Sequence, residues 1–568
     1  MNEAIGAPSA APLSARSPDM SARWRLVLLV GLVLACLLPG LFSIPIVDRD
    51  EARFAQASRQ MVESGDYVVP RLGEATRFKK PIGIYWLQAA AVKLTGHDAN
   101  APIWVFRLPS LFGALIAVLG TYAVGRRLFG GEAGFLAAAL IGTSLILAVE
   151  AKLAKTDAVQ LAAAVTGQWV LARAYLAPAG ERLGRAWALL FWGAMAIGIL
   201  IKGPIVPMLA ALTAASLCLW DRKAAWLKQL RPALGIPFML ALVLPWLIAI
   251  LVHSGTDFFR ESVGHDLLAK VATGQETHGL PPGAHFAVFW FAFWPGAALV
   301  AAAVPWIWAN RTVPAVRFCL AWLIPFWIVF ELIATKLPHY TLPAYPALAL
   351  LAAAALTAPR EGPDALWKRV LGTLSAIGGA LGAIASLVVF YLLEGHLPPL
   401  ALSLAVLVVV IALYAARQAL KLGLAAAARV LLVEALALYV LLFAVVAPRA
   451  ERMWIAPRLA AAVSHVPCAA PQIMVAGFSE PSVLFVLGKD TRFGDGVTAA
   501  DFLAQPGCRA VIIADHQQQL FDIRNKVLRR SPALVTTTDG VNSANSRHLN
   551  FNIYVAAPDA PSAEGTKP

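Results

Sequence analysis

Runs of about 20 apolar residues most narrow what this chain can become, because a helix of that length crosses the hydrocarbon core of a bilayer. Residues 26–47, 232–256, 337–359, 370–393 and 397–416 form such runs without Asp, Glu, Lys or Arg. The stretch 279–310 holds one more and 203–220 a tight one, and weaker candidates lie at 103–124, 132–149, 157–177, 186–201, 315–334 and 428–447. Composition agrees: 59% of residues are hydrophobic and 14% charged, against about 45–50% and 25% in soluble domains. An ordinary soluble enzyme, a disordered chain and a disulfide scaffold are excluded. The expected fold class is a polytopic α-helical membrane protein with about 13 transmembrane helices. Run 26–47 has a basic start like a signal peptide, but it is long and lacks a small-residue cleavage site, so it reads as the first crossing.

The excess of 47 basic over 33 acidic residues, a net +14, has a topological meaning in such a chain. With a cytoplasmic amino terminus, Arg23, Arg25, Arg126, Arg127, Arg182, Arg185, Arg222, Lys223, Arg311, Arg317, Arg417 and Lys421 all fall inside. The short outer loops carry few basic residues, as the positive-inside rule requires. The long segment 48–102 is basic yet outside; long loops translocate regardless of charge. An odd number of crossings leaves the carboxyl terminus outside. The chain therefore divides into a disordered amino terminus 1–22, a transmembrane unit 23–447 with the large outer loop 48–102, and a small extracytoplasmic α/β domain 448–568. In that domain QIMVAGF, SVLFVLG, RAVIIAD and FNIYVAA are strand candidates. Cys468 and Cys508 both fall there, where an oxidising compartment allows a disulfide. The five cysteines form no metal-ligand spacing and no CxxC.

Ionisable residues gather at the outer ends of the helices, and such residues near membrane depth mark sites. DRDEARFAQASRQM follows the first crossing, with Asp48, Asp50 and Glu51 together. The bland alternative is a helix start, since Asp48-x-x-Glu51 fits a capping box. Residues 52–62 have helical spacing, with Phe54, Ala57, Met61 and Val62 toward one side. FKKPIGIYW brings Lys79, Lys80, Tyr85 and Trp86, either a phosphate site or an interfacial anchor. AKLAKTDAVQ brings Lys152, Lys155 and Asp157; ILIKGP brings Lys202; TKLPHYTLPAYP brings Lys336, His339, Tyr340 and Tyr345. The outer loop 255–284 adds Arg260, Glu261, His265, Asp266, Lys270, Glu276 and His278. Its histidines and acids leave a divalent metal open, although no HExxH-like spacing supports one.

DRDEARFAQASRQMVESGDYVVPRL, FKKPIGIYW, AKTDAVQL, LIKGP and TKLPHYTLPAYPALAL, in this order, resemble the GT-C membrane glycosyltransferases that use polyprenyl-phosphate sugars. That group includes the protein-O-mannosyltransferase-like enzymes, and the resemblance is nearest to the ArnT-like lipid A aminoarabinose transferases. It covers most of residues 24–360. Lys79 departs from the family, which often has an acid there, so that acid's role is not carried over.

The resemblance implies transfer of 4-amino-4-deoxy-L-arabinose from undecaprenyl phosphate to lipid A phosphates. The site and the carboxyl-terminal domain would face the periplasm from the bacterial inner membrane, and the product would resist polymyxin. Asp50, Glu51 and Asp157 are the catalytic candidates. Lys80, Lys202, Lys336 and Tyr345 are candidates for the donor phosphate, whose leaving charge needs fixed cations. Tyr85, His339, Tyr340, Arg260 and His265 are candidate cavity residues. Partners would be the sugar donor, lipid A and membrane lipids, with no nucleic acid. No cofactor is certain, and a divalent metal stays open. Three readings compete: a relative that moves another polyprenyl-linked sugar to protein or glycan, a transporter, and a structural or receptor protein with an extracytoplasmic tail, which would not need acids and lysines gathered from four loops. A transporter favours inverted repeats and midplane charges, and the sequence shows no repeat.

Overall fold

A computed structural model of the chain describes residues 21–178, 181–262, 264, 279–359, 362–543 and 545–556. The expected disordered segment 1–22 thus lies, up to residue 20, outside the described residues. Among the described residues, eight helices are long and apolar enough to cross a membrane, or nine if one bent pair counts as a span. In chain order the membrane unit contains α1 (Ala22–Leu37), α2 (Asp50–Ser64), the hairpin β1–β2 (Arg71–Leu72 and Ala75–Thr76), α3 (Gly83–Leu94) and α4 (Ile103–Phe129). Then come α5 (Gly131–Gly142), α6 (Leu145–Glu150), α7 (Asp157–Tyr175), α8 (Arg185–Lys202), α9 (Ile205–Asp221) and α10 (Pro232–Ser254). The bent pair α11 (Ala284–Ala292) and α12 (Ala297–Ala309) turns by 116°. The unit closes with α13 (Pro314–Leu332), α14 (Tyr345–Thr357), α15 (Leu366–Glu394), α16 (Pro399–Leu422) and α17 (Leu424–Tyr439). The remaining expected crossings fall on α1, α5 with α6, α7 and α9, which are shorter or more polar than a free-standing span.

The expected run 279–310 is not one straight helix, and its break lies at Phe293–Gly296, around Pro295. A proline removes a backbone donor and clashes with the preceding turn. Glycine sets two close helix approaches. A Cβ on Gly113 of α4 would stand 2.8 Å from the backbone of Ala158 and Val159, and one on Gly83 of α3 would stand 2.8 Å from the Leu200 carbonyl. These contacts draw α4 onto α7 and α3 onto α8.

Outer loop 48–102 is tied down by one buried ion pair. Arg107 in α4 grips Glu51 with two hydrogen bonds of 2.8 and 2.9 Å, both side chains fully buried. The guanidinium also donates to the carbonyls of Leu41, Ile44 and Pro45. The carboxylate accepts from the backbone N–H groups of Val47 and Ala154. The expected capping box is absent: Arg49 is the N-cap, at φ 63°, with no side-chain cap bond. Glu51 turns inward because a fork of five donors awaits it there. The apolar face of α2 follows the sequence reading, with Phe54, Ala57 and Met61 buried and Val62 half-buried.

The carboxyl-terminal domain is a five-stranded mixed sheet of order β4-β3-β5-β7-β6, made of β3 (Gln472–Ala476), β4 (Arg492–Gly494), β5 (Arg509–Ala514), β6 (Ala533–Asn542) and β7 (Arg547–Val555). Its helices are α18 (Ile455–Val463), α19 (Pro481–Leu487), α20 (Gly496–Leu503) and α21 (Asp515–Val527). SVLFVLG, expected as a strand, is α19. A short apolar run fits either state by periodicity, and Pro481 in its first turn favours the helix. Cys468 and Cys508 form a disulfide with Cα atoms 6.0 Å apart.

The domain docks on the outer loop through α19. The Arg59 guanidinium lies 3.7 Å from the Phe485 ring centroid and bonds the Phe485 carbonyl. Lys489 pairs with Glu63 at 3.1 Å. The outer loop and the terminal domain therefore share one side of the helical unit.

Candidate active site

Five polar side chains from three helix ends, a 3-10 turn and the turn between α6 and α7 meet under the outer loop. Asp157 is the first residue of α7, Lys202 the last of α8, and Glu150 the last of α6. His339 lies in the 3-10 turn Pro338–Ala344, and Lys155 in the turn between α6 and α7. Lys202 Nζ is 2.5 Å from Asp157 Oδ1, and Lys155 Nζ is 3.0 Å from Glu150 Oε1 and 3.7 Å from Asp157 Oδ2. His339 bridges the two acids, with Nδ1 3.5 Å from Glu150 and Nε2 3.7 Å from Asp157. The Tyr340 ring lies 5.4 Å below the Lys202 ammonium. Two carboxylates thus face two ammonium groups in a place nearly closed to water. Ser110 of α4 fixes the turn by donating to the Lys155 carbonyl.

The sequence placed Asp157, Lys202, His339 and Tyr340 at one site, and the structure brings these four together. Glu150 was missed, because it closes an apolar run and looks like its end rather than part of a motif. Asp50 lies at the rim, half-exposed and 3.6 Å from Arg53; its charge also acts on Lys155. Lys80 is half-buried just before α3, and the Gly83–Leu200 approach sets that segment beside the end of α8.

Other expected site residues are elsewhere. Glu51 is not a free catalytic carboxylate, since Arg107 and two backbone donors occupy both its oxygens. Tyr85 does not line an open cavity: it is fully buried, and Arg77 donates to its hydroxyl. Tyr345 is fully buried, and its ring packs among Phe289, Phe293 and Trp327 in the helical core. Lys336 is buried and turns back onto the Ile333 carbonyl. Arg260 is 75% exposed and pairs with Asp257, outside the cluster. His265, Asp266, Lys270, Glu276 and His278 lie outside the described residues. Lys152, flagged among the outer lysines, is also structural: it bonds the Cys36 and Ala148 carbonyls.

Glu150, Asp157 and His339 are the group whose ligand atoms converge within 4.8 Å among the described residues. That donor set suits a divalent cation, but Lys155 and Lys202 already neutralise its two acids. A cation there would have to displace both ammonium groups.

Beneath the cluster runs an apolar cavity of about 950 Å³ between α3, α4, α7 and α8. Leu87, Pro109, Ile116, Ala162 and Ile197 form its walls, and Gly83, Val159, Leu200 and Ile201 its upper end. Those upper residues neighbour Lys80, Asp157 and Lys202 in the chain. The cavity therefore lies against the helix ends that carry Asp157 and Lys202, an arrangement that suits a long apolar chain with an ionic head.

On the side of the outer loop nearest the terminal domain, burial pushes the Asp48 carboxyl up to about 6, with the Ser482 hydroxyl and Arg49 opposing the rise and Glu480 adding to it.

Residues 79–248 match the family described as dolichyl-phosphate-mannose-protein mannosyltransferase. The chain is 30% identical over 345 residues to the undecaprenyl phosphate-alpha-4-amino-4-deoxy-L-arabinose arabinosyl transferase of Pseudomonas paraeruginosa, covering 60% of each chain. A similarly named transferase of Pseudomonas fluorescens is 29% identical over 421 residues, 70% of this chain and 67% of the relative. The match thus spans about 60% of the length of the first relative. The crystal structure of ArnT from Cupriavidus metallidurans bound to undecaprenyl phosphate superposes with a TM-score of 0.74 at 19% identity, covering 96% of this chain and 100% of that one. The resemblance carried by the sequence motifs is borne out, and the chain has the GT-C fold.

Proposed function

We propose that the chain transfers 4-amino-4-deoxy-L-arabinose from undecaprenyl phosphate to phosphate groups of lipid A at the periplasmic face of the bacterial inner membrane. The observation that carries this reading is the buried convergence of Glu150, Lys155, Asp157, Lys202 and His339, beside an apolar cavity lined by the chain neighbours Val159 and Ile201. The cavity takes the isoprenoid chain, and the cluster takes the phosphate and sugar. The similarity to aminoarabinose transferases supports the choice of sugar.

A lipid A phosphate oxygen attacks the anomeric carbon while the bond from that carbon to the donor phosphate oxygen breaks. One displacement inverts the configuration and needs no enzyme nucleophile. The acceptor phosphate is already anionic, so a general base has little to remove. Charge grows on the departing undecaprenyl phosphate, and fixed cations in a dry site stabilise it most. Lys80 and Lys202 are those cations. Asp157 and Glu150 hold the lysines in place, and the half-exposed Asp50 at the rim attracts the sugar ammonium. The product carries less negative charge, which weakens binding of polymyxin and other cationic peptides.

Mass spectrometry of lipid A from cells with and without the protein tests this. One aminopentose added per modified phosphate, only when the protein is present, is expected. Unmodified lipid A together with a newly glycosylated protein or glycan would favour the wider polyprenyl-sugar transferase reading.

A further inference from the structure

The terminal domain holds a polar pocket of about 330 Å³ that the transfer step leaves unused. Its position follows from the topology of the sheet. β3 pairs in parallel with β4 on one side and β5 on the other, so the connections leaving the first and third strands diverge. In open α/β sheets ligands bind in the crevice that such a divergence leaves at the carboxyl ends of the strands. Gly477 directly follows β3, and Asp515 and His516 follow β5; all three line the pocket. Asn542, Arg547 and His548, from the end of the β6–β7 hairpin, complete it.

The walls carry two kinds of recognition. The Arg547 guanidinium is a fork that matches phosphate oxygens, and His516 and His548 flank it. Asp515 and Asn542 add a carboxylate and an amide, which pair with sugar hydroxyls. Asp515 already accepts from the His516 backbone N–H at 2.7 Å, which dilutes its repulsion of an anion. Gly477, at φ +90°, keeps the floor narrow: a Cβ there would stand 2.8 Å from His516 Cε1 and from the Ala514 Cβ.

The pocket is also tied to the membrane surface. His548 Nε2 lies 3.1 Å from Asp539, which pairs with Arg452 at 3.2 Å and Arg458 at 2.6 Å. The Arg452 N–H bonds Glu394, the last residue of α15. This chain of ion pairs sets the hairpin over the outer ends of the helices.

We propose that this pocket binds the phosphorylated saccharide headgroup of the acceptor lipid, so that the terminal domain selects the acceptor. The idea rests on the acceptor being a phosphorylated glycolipid. The test uses purified full-length protein in detergent, with glucosamine 1-phosphate, inorganic phosphate and lipid A vesicles as probes, and compares wild type with Arg547→Gln and Asp515→Asn. Arg547→Gln is expected to weaken glucosamine 1-phosphate and lipid A vesicle binding by about tenfold or more and to raise the acceptor KM, with undecaprenyl phosphate binding within about twofold of wild type. Asp515→Asn is expected to weaken the phosphosugar and leave inorganic phosphate unaffected. Unchanged phosphosugar binding in Arg547→Gln overturns the proposal, as does inorganic phosphate binding as tightly as the phosphosugar. Vesicle binding without phosphosugar binding overturns it too, because the lipid is then held elsewhere. Phosphosugar binding lost in Arg547→Gln, together with no transfer to lipid A by wild type, would keep the pocket and overturn the proposed acceptor reaction instead.

Discussion

Lys202 Nζ lies 2.5 Å from Asp157 Oδ1 and joins the outer ends of α8 and α7 across 45 positions of the chain. Both side chains are at least nine-tenths buried. The pair therefore fixes helix positions and supplies site charge at once, and its removal has two consequences to separate. Deleting one partner of a buried pair costs about 3–5 kcal/mol, because the other charge stays buried without compensation. Asp157→Asn is expected to melt at lower temperature and to lose transfer. Asp157→Asn with Lys202→Met should recover much of the stability and none of the activity. Wild-type melting for the single variant would contradict the ion pair, and activity in the double variant would move the site elsewhere.

Lys80 has a different profile, being half-buried in the segment just before α3. Losing one charge-assisted bond to phosphate costs about 1.5–3 kcal/mol, or roughly one to two decades in rate. Lys80→Ala is expected to keep its melting temperature, bind undecaprenyl phosphate more weakly, and transfer sugar at that reduced rate. Unaltered undecaprenyl phosphate binding would leave Lys80 as an interfacial anchor.

The sequence shows the layout of the site better than the job of each side chain. Asp157, Lys202, His339 and Tyr340 were legible because each interrupts an apolar pattern at the same membrane face. Glu150 was hidden by belonging to such a pattern until its last residue. Glu51 and Tyr85 look like site residues for the same reason that they are structural ones: a polar group at membrane depth needs a partner. Arg107 and Arg77 are those partners, and each is distant in sequence or buried where no periodicity announces it. The span count shows the same limit, since Asp157–Tyr175 is crossing-length but carries Asp157, Gln160, Gln168 and Arg173 along it.

Glu51→Gln tests that distinction. The amide keeps the shape but replaces one acceptor oxygen with a donor facing Arg107. The expected loss is about 3–5 kcal/mol, since the guanidinium stays buried without its counter-charge. Expression and melting temperature should fall together, while protein that remains folded should still bind undecaprenyl phosphate. A Glu51→Gln protein of normal stability that cannot transfer sugar would return Glu51 to the catalytic list.

Asp48 gives the pH-dependent outcome. Its carboxyl is raised from an ordinary value of about 3.9 to about 6, chiefly by burial. The folded form thus holds this proton more tightly than the unfolded form. The stabilisation is fully present below about pH 4 and is lost as pH rises through about 6. At roughly 1.4 kcal/mol per pH unit, the loss is on the order of 2 kcal/mol after discounting for residual exposure. Asp48→Asn removes the titration and keeps the shape. Melting of the two proteins is compared from pH 4 to pH 8, so that every other carboxylate cancels in the difference. The variant is expected to gain on wild type between pH 4 and 6 and to hold a constant advantage above about 6.5. A difference that is flat across this range would show that the Asp48 carboxyl is solvated rather than pressed between the outer loop and Ser482. A variant that loses stability above pH 6 would mean that the carboxylate form is the one the interface holds.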